Sequence, residues 1–259
     1  MIWVARVSGP RQVTTRAAVL LAPNPGPMTL EGTNTWLLRE PGRDDLVVVD
    51  PGPLHEGHLA AVAAAGDVAL IVLTHGHLDH SEGAERLRAL TGADVVSLDP
   101  VHTTEGVEPL TADRQRLGAA GLTLEVVHTP GHTADSVSLH LLDDNAVLTG
   151  DTVLGRGTTV VAHPDGVLAD YLRSLRRLRA FGDAAVLPGH GPELPSAGAA
   201  ARAYLEHREQ RLEQVRAAVA AGATTPEQVV EQVYAAVDRA LWPAATLSVL
   251  AQLAYLGMP

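Results

Sequence analysis

The stretch Thr74-His75-Gly76-His77-Leu78-Asp79-His80 places three imidazoles and one carboxylate within six consecutive positions. Imidazole and carboxylate groups are the ligands that zinc and similar divalent ions take in proteins. The aliphatic residues 69–73 predict a buried strand before this stretch, and residues 81–90 predict a helix after it. The candidate ligands therefore lie on a loop at the end of a strand, where α/β proteins place their chemistry. A lone histidine is usually a surface or hydrogen-bonded residue, but four candidate ligands at this density predict a metal site.

Other strand ends carry the same kinds of side chain. In each case a run of aliphatic residues stops at a glycine-rich turn that holds a histidine or an aspartate. The four positions are Asp50, His132, Asp151 and His190. One such coincidence would be weak, but four of them beside the histidine-rich stretch form a composite signal for a metal centre.

Composition narrows the possible chemistry. The chain has 259 residues, 46% of them hydrophobic, which suits one large globular domain with a small appendage. It has no cysteine, which excludes disulfides, thiolate zinc ligands and a cysteine nucleophile. All 19 basic residues are arginine, so lysine bases and Schiff-base chemistry are excluded too. The net charge of -11 disfavours the phosphate attraction that drives nucleic-acid binding, although it permits a local basic groove.

The N-terminal residues and the apolar segments indicate where the protein is located and how it could assemble. The first residues, Met1-Ile2-Trp3-Val4, lack a basic segment followed by a long apolar run, so no secretory signal is predicted. No apolar run reaches the roughly 18 residues that a membrane span needs. We therefore expect a cytoplasmic protein with no membrane partner. The apolar segment around Trp242-Pro243 could pack within the chain or across a dimer, so both assemblies stay open.

The pattern of elements predicts an α/β fold built from two similar halves. Strands are predicted at residues 13–21, 33–38, 46–49, 69–73, 95–98, 122–127, 136–142, 146–148 and 184–187, and helices at 60–65, 81–90 and 166–180. Residues 99–120 receive no assignment. Two stacked sheets with helices outside, a four-layer αββα sandwich, fit this order, and an open doubly wound sheet is the alternative.

The remainder of the chain predicts a small helical module. We expect one domain over residues 1–195 and the module over residues 196–259, with helices at 199–221 and 244–255. A further helix should begin at Thr225-Pro226, because threonine is a good N-cap and proline suits the first helical position.

On these residues the chain resembles the metallo-β-lactamase superfamily over roughly positions 13–195. Asp50, the histidine-rich stretch, His132, Asp151 and His190 occur in the family's order. The resemblance implies the αββα fold, with one metal held by His75, His77 and His132 and a second held by Asp79, His80 and His190. It also implies that Asp151 bridges the two metals, that Asp79 and Asp151 are catalytic, and that Asp50 lies behind the ligands and orients an imidazole.

Finer features resemble the lactamase-beta-like hydrolases, which have a glyoxalase-II-like dinuclear site rather than the cysteine ligand of common class B lactamases. The segments Asn24-Pro25-Gly26-Pro27 and Gly32-Thr33-Asn34-Thr35 carry this likeness. The group includes endoribonucleases and carrier-protein thioesterases, and its members have a C-terminal winged helix. Here the sequence reaches Pro259 before a convincing β wing, so we expect an incomplete winged helix.

These features predict a hydrolase with two Zn²⁺ ions per chain, with Mn²⁺ or Fe as alternatives. Two such ions can lower the pKa of a shared water and provide a bridging hydroxide. The expected substrate is an ester-like or thioester bond of a small or acyl-carrier-bound molecule. The main alternative is an endoribonuclease on single-stranded RNA. A non-catalytic metal-binding protein is a third hypothesis, and a redox di-iron protein is a disfavoured fourth.

Four further residues are candidates for supporting the metal ligands or contacting the substrate. His128, four positions before His132, is a candidate to lie behind the metal ligands. Thr33, Asn34 and His163 are candidates to contact the substrate: the first two by resemblance, and His163 because its loop follows Asp151.

Overall fold

Two β-sheets form the centre of the protein in the computed structural model, which describes residues 9–111 and 115–258. The first sheet contains β1 (Arg11–Gln12), β2 (Ala17–Leu21), β3 (Asn34–Leu38), β4 (Asp45–Val49), β5 (Asp67–Val72) and β6 (Val95–Val96), in that spatial order. Its strands are antiparallel from β1 to β4 and parallel from β4 to β6.

The second sheet is formed by the later part of the chain. It contains β7 (Arg116–Ala119), β8 (Leu122–His128), β9 (Val137–Leu141), β10 (Ala146–Gly150) and β11 (Ala185–Pro188). The strands lie in the order β11-β10-β9-β8-β7, and only the β10–β11 pair is parallel.

Helices cover the outer face of each sheet. The first sheet carries α1 (Glu56–Ala63), α2 (Leu78–Ser81) and α3 (Ala84–Thr91); the second carries α4 (Leu168–Arg179) and α5 (Ala197–Ala220). Trp36 and Leu38 of the first sheet share one buried apolar cluster with Leu139 and Leu148 of the second, so the two inner faces pack together. Separate clusters join each outer face to its helices. The predicted four-layer αββα fold is confirmed, and the doubly wound alternative is wrong.

The C-terminal module is helical, as predicted. It adds α6 (Pro226–Val233) and α7 (Trp242–Leu256) to the second half of α5. Thr225 caps α6 by accepting the N–H of Gln228 at 3.3 Å. Residues 189–258, all of which are described, contain no strand, so no β wing follows β11. The first half of α5 shares its buried cluster with α4, which ties residues beyond the proposed boundary at 196 to the main core.

Three local differences from the predictions have physical causes. The helix predicted at 81–90 begins later, as α3 at Ala84, and is separated from the short α2 because the Gly83 N–H donates to the Gly52 carbonyl oxygen at 2.9 Å instead of continuing α2. Helix α1 begins at Glu56, earlier than predicted, because the ring of His55 accepts the N–H of His58 at 3.1 Å. Strand β7 lies in the unassigned region and forms by pairing with β8. In the described part of the chain, none of the helices has the length and hydropathy to cross a bilayer.

Candidate metal centre

The candidate ligands lie where the strands of both sheets end. Asp50 follows β4, the histidine-rich stretch follows β5, and Asp151 and His190 follow β10 and β11. His132 lies on the loop between β8 and β9. Because these strand ends meet at one edge between the sheets, residues as far apart in the chain as Asp79 and His190 form groups of side chains that could each hold a metal ion. Three overlapping groups occur among the described residues: two that share no residue, and a third, formed by His75, His80 and Asp151, that connects them.

The first group consists of His75, His77 and His132. Nδ1 of His77 lies 3.1 Å from Nε2 of His75 and 3.0 Å from Nε2 of His132. Three ring nitrogens that converge in this way surround one point, as ligands of a tetrahedral ion do. His75 and His132 are buried, and His77 is exposed at the entrance.

The second group consists of Asp79, His80 and His190. Nε2 of His190 lies 3.2 Å from Nε2 of His80 and 3.1 Å from Oδ2 of Asp79. Two imidazoles and one carboxylate again provide three ligands, which leaves a fourth position open for water or substrate.

Asp151 lies between the two groups. Its Oδ1 is 3.4 Å from Nε2 of His80 and 3.5 Å from Nε2 of His190, while its Oδ2 is 3.7 Å from Nε2 of His132. Oδ1 is buried and accepts no hydrogen bond from any described residue. A buried carboxylate oxygen without a donor is costly, and a cation beside it would offset that cost. The donor set therefore fits a pair of divalent ions with Asp151 between them.

Hydrogen bonds behind the ligands orient the imidazoles. Nδ1 of His80 lies 2.9 Å from Oδ2 of Asp50, Nδ1 of His132 lies 2.8 Å from the Val160 carbonyl oxygen, and Nδ1 of His190 lies 3.1 Å from the Gly32 carbonyl oxygen. Each Nδ1–H that donates to an oxygen leaves Nε2 with a free lone pair directed at the centre.

The electrostatics differ between the groups. Burial opposes charge on His190, but Asp151 and Asp79 outweigh it and raise the His190 pKa to about 9. The pKa of His80 is also raised, against burial, by Asp151 and Asp50. Burial lowers the pKa of both His75 and His132. Burial thus favours the neutral, coordinating form of His75 and His132, whereas the raised pKa values of His190 and His80 mean that a metal ion must displace protons to bind there.

The secondary candidates lie in different places. Thr33 and Asn34 are buried under the site, and the side-chain amide of Asn34 donates to the carbonyl oxygens of Pro188 at 3.0 Å and Gly191 at 2.8 Å. This differs from the predicted position in a substrate cleft, because both side chains make their hydrogen bonds inside the protein. Asn34 supports the loop that carries His190.

His163 and His128 also lie apart from the ligand groups. His163 is exposed on the loop before α4. It does not line the apolar cavity that opens beside His132 and Asp151. Nε2 of His128 lies 3.3 Å from the Ala134 carbonyl oxygen, so it contacts the loop that carries His132.

Two residues that shape the candidate metal centre were not predicted from the sequence. Thr74 donates its hydroxyl to Asp50 at 2.7 Å, and its position directly before the histidine-rich stretch was the available signal. Gly189 leaves room for the centre, because a Cβ there would lie 2.6 Å from Oδ1 of Asp151. Nothing local in the sequence marks this role of Gly189.

A cavity of about 310 Å³ opens beside His132 and Asp151. Its walls are mainly apolar: Met28 and Leu30 come from an early loop, and Leu154 comes from the loop after β10. Helices α5 and α7 and the segment 234–241 between α6 and α7 contribute the remaining C-terminal lining. A substrate with an apolar part could therefore lie against the C-terminal helices while its reacting bond reaches the metal ligands.

Comparisons with known proteins agree with this geometry. The family model "Metallo-beta-lactamase superfamily" matches residues 28–190, and "Beta-lactamase associated winged helix domain" matches residues 225–256. The lactamase-like protein vrtG of Penicillium aethiopicum is 34% identical over 245 residues, covering 89% of this chain and 75% of that protein. The atrochrysone carboxyl ACP thioesterase of Aspergillus fumigatus is 30% identical over 239 residues, covering 85% and 73%. The crystal structure of a beta-lactamase domain protein from Burkholderia ambifaria has a TM-score of 0.82 at 22% identity, covering 98% and 90%.

Proposed function

The chain belongs to the metallo-beta-lactamase superfamily and is a metal-dependent hydrolase, and on that premise we propose that it uses two zinc ions to cleave an ester-like or thioester bond of a small or carrier-bound acyl substrate. The observation that carries the proposal is the position of Asp151, whose two oxygens face the two ligand groups.

The chain itself would perform the supporting steps. His75, His77 and His132 would hold one ion, and Asp79, His80 and His190 the other, while Asp151 keeps them at a fixed spacing. Two ions held in this way lower the pKa of a shared water, polarise a substrate oxygen and stabilise the charge that develops on it. No protein nucleophile is required, which agrees with a chain that has no cysteine and no lysine.

Zinc is the ion that the donor set favours, because imidazole nitrogens predominate and carboxylate oxygens complete the set. Mn²⁺ and Fe are the alternatives, since both accept the same ligands. Metal analysis of the purified protein distinguishes the three.

The cavity supports an acyl substrate. Leu154 and Leu30 provide apolar surface close to His132 and Asp151, as an acyl chain or ring would need. The similarity to a relative named as an ACP thioesterase supports the same substrate class.

An endoribonuclease on single-stranded RNA is the second candidate, favoured by the winged-helix match over residues 225–256. The net charge of -11 and the apolar cavity walls count against it, because RNA binding relies on basic surfaces and stacking platforms.

The test compares both reactions on one preparation. Protein with its metal content measured is given acyl pantetheine thioesters and, separately, end-labelled single-stranded RNA. We expect metal-dependent thioester hydrolysis that Asp151→Ala abolishes. RNA cleavage that Asp151→Ala abolishes, without thioester turnover, would reverse the ranking. Uptake of metal without either reaction would point to a binding protein.

A further inference from the structure

Two arginines of α5 lie on the wall of the cavity beside the metal centre. Arg208 and Arg211 both line this cavity, together with Met28 of the early loop. Arg208 is only 4% exposed, which makes it the one arginine that is buried among the residues at 9–111 and 115–258. A buried guanidinium almost always has a partner that offsets its positive charge.

The contacts of both arginines are with neutral groups. Arg208 donates to the Thr159 carbonyl oxygen and lies over the Tyr171 ring at 4.9 Å. Arg211 donates to the Val233 carbonyl oxygen at 2.7 Å and lies over the Tyr234 ring at 4.3 Å. A further bond of Arg211, at 2.9 Å, goes to the amide oxygen of Gln214.

Neither arginine forms an ion pair with any acidic residue that the structure describes. The Nε atoms of both are buried without a hydrogen-bond acceptor in the same part of the chain. Arg216, further along the same helix, instead pairs with Glu213 at the surface. Arg208 is thus a buried cation and Arg211 a half-buried one, and neither has a counter-ion among the described residues, although the chain as a whole has a net charge of -11.

The neighbouring residue His207 experiences the same positive field. It also lines the cavity, and its Nδ1 is buried without a partner among the described residues. Burial and then the charges of Arg208 and Arg211 lower its pKa. Unpaired buried cations are costly, and an anion placed among them would remove much of that cost.

We propose that Arg208 and Arg211 form an anion subsite for a carboxylate on the acyl part of the substrate. The enzyme then prefers acyl thioesters with a second acidic group over neutral thioesters of equal length. This inference rests on the proposed thioester hydrolysis and specifies its substrate class.

The rest of the cavity favours a carboxylated acyl chain over an RNA phosphate. Val237, Leu241 and Ala244 line the same cavity as the arginines and offer apolar surface to methylene groups or a ring. The sugars and phosphates of RNA would leave polar groups facing this surface without hydrogen bonds. An acyl chain that ends in a carboxylate matches both the apolar walls and the cations.

Turnover tests the preference directly. Pantetheine thioesters of ω-carboxyacyl chains and of neutral acyl chains with the same number of atoms are compared by kcat/KM over a series of lengths. Because a hydrogen bond to a charged group contributes about 1.5–3 kcal/mol, we expect a preference of roughly 10- to 100-fold for the acid at the best length. Arg211→Gln should reduce this ratio to near one. Arg216→Gln, which removes the same charge from the same helix outside the cavity, should preserve it.

Binding provides a readout that does not depend on turnover. Thioether analogues of the same two substrates cannot be hydrolysed, and their affinities for the purified metal-containing protein are measured by calorimetry. Tighter binding of the acid that Arg211→Gln abolishes and Arg216→Gln preserves supports the subsite. Equal binding of acid and neutral analogues, or a preference that survives Arg211→Gln, overturns it.

The two proposals can fail separately. Acid-selective binding through Arg211 without thioester hydrolysis overturns the proposed reaction and leaves the anion subsite standing. Hydrolysis of all thioesters at equal rates, with equal binding, overturns the subsite and leaves the reaction standing. Equal binding of both thioethers, together with RNA binding that Arg211→Gln weakens, overturns the carboxylate in favour of a nucleic-acid phosphate.

Discussion

Oδ2 of Asp50 lies 2.9 Å from Nδ1 of His80, behind the second ligand group. The same carboxylate accepts the backbone N–H of Thr74 at 2.8 Å and its hydroxyl at 2.7 Å. The hydroxyl oxygen of Thr74 in turn lies 3.0 Å from Nδ1 of His75, in the first group. One buried carboxylate therefore orients a candidate ligand in each of the two groups.

Replacing Asp50 with Asn should weaken the binding of both metal ions. The amide keeps the size of the side chain and tolerates the positive φ of 54° at this position, but it presents a donor where an acceptor is needed. Loss of such a partner costs about 10- to 100-fold in metal affinity, measured here by competition with a chelator. Asp45→Asn, at the start of the same region of sheet, is the control. Unchanged affinity for both ions in Asp50→Asn would contradict the orienting role.

Replacing Asp151 with Ala should remove one ion and nearly all activity. The variant lacks the carboxylate that faces both groups, so bound metal should fall from two ions to one per chain. We expect kcat to fall by about a thousandfold or more, since two-ion stabilisation of a transition state is worth several kcal/mol. Elemental analysis and steady-state kinetics measure the two effects. Asp183→Ala, at an exposed position, should change neither. Two bound ions and full activity in Asp151→Ala would refute the bridging role.

Adding one methyl group at Gly189 should disturb the centre without changing a ligand. An alanine Cβ there would lie 2.6 Å from Oδ1 of Asp151 and 2.7 Å from Cε1 of His80, so both side chains must move. We expect weaker binding of the second ion and a fall in kcat/KM of about 100-fold, because misplacement by roughly 1 Å has that cost. Gly118→Ala is the control, since its Cβ would meet no atom within 4 Å. Wild-type metal content and kinetics in Gly189→Ala would count against the close packing.

Metal binding at pH 7 should release protons from the second group. His190, with its pKa raised to about 9, is protonated in the metal-free protein at that pH, and the pKa of His80 is raised in the same direction. Calorimetry in buffers of different ionisation enthalpy should show proton release, and affinity for the second ion should rise with pH up to about 9. Binding without proton release at pH 7 would show that these imidazoles are already neutral.

The same shift has a defined sign for stability. A raised pKa means that the folded protein binds the proton more tightly than the unfolded chain does. The protonated histidine then contributes its full stabilisation to the metal-free protein below about pH 6.5, which is the ordinary pKa of a histidine side chain. It is lost as the pH rises through about 9 for His190. Thermal unfolding of chelated protein across this range measures the loss.

Truncation should show where the main domain ends. Ala201, Leu205 and Leu212 of α5 share a buried cluster with Leu172 and Leu175 of α4. A chain that stops at residue 195 exposes that apolar face, and we expect it to aggregate. A chain that stops at residue 222 keeps α5 and should fold and bind metal, with its substrate preference reduced. Light scattering, circular dichroism and metal analysis compare the two. A well-folded 1–195 fragment would place the boundary where the sequence predicted it.

The metal loops were predictable because their signals are local. A strand, a turn and a histidine or aspartate occupy a few consecutive residues at Asp50, Asp151 and His190, and the packing of the two sheets brings these strand ends together. The four-layer order followed from two runs of strands with helices between them.

Other features depend on contacts between distant segments. Asn34 is buried because it donates to the backbone of the loop around Gly191. Strand β7 exists through its pairing with β8. The cavity joins an early loop, the loop after β10, helices α5 and α7 and the segment before α7, and no single segment carries a pattern that predicts it.

Each ligand group draws on both sheets. His75 and His77 extend from the first sheet and His132 from the second; His80 and His190 repeat this division. Coordination bonds would therefore cross-link the two sheets across the interface between them. The sheets could separate only after the ions dissociate, so the lifetime of the loaded protein against unfolding should be set by the rate of metal loss.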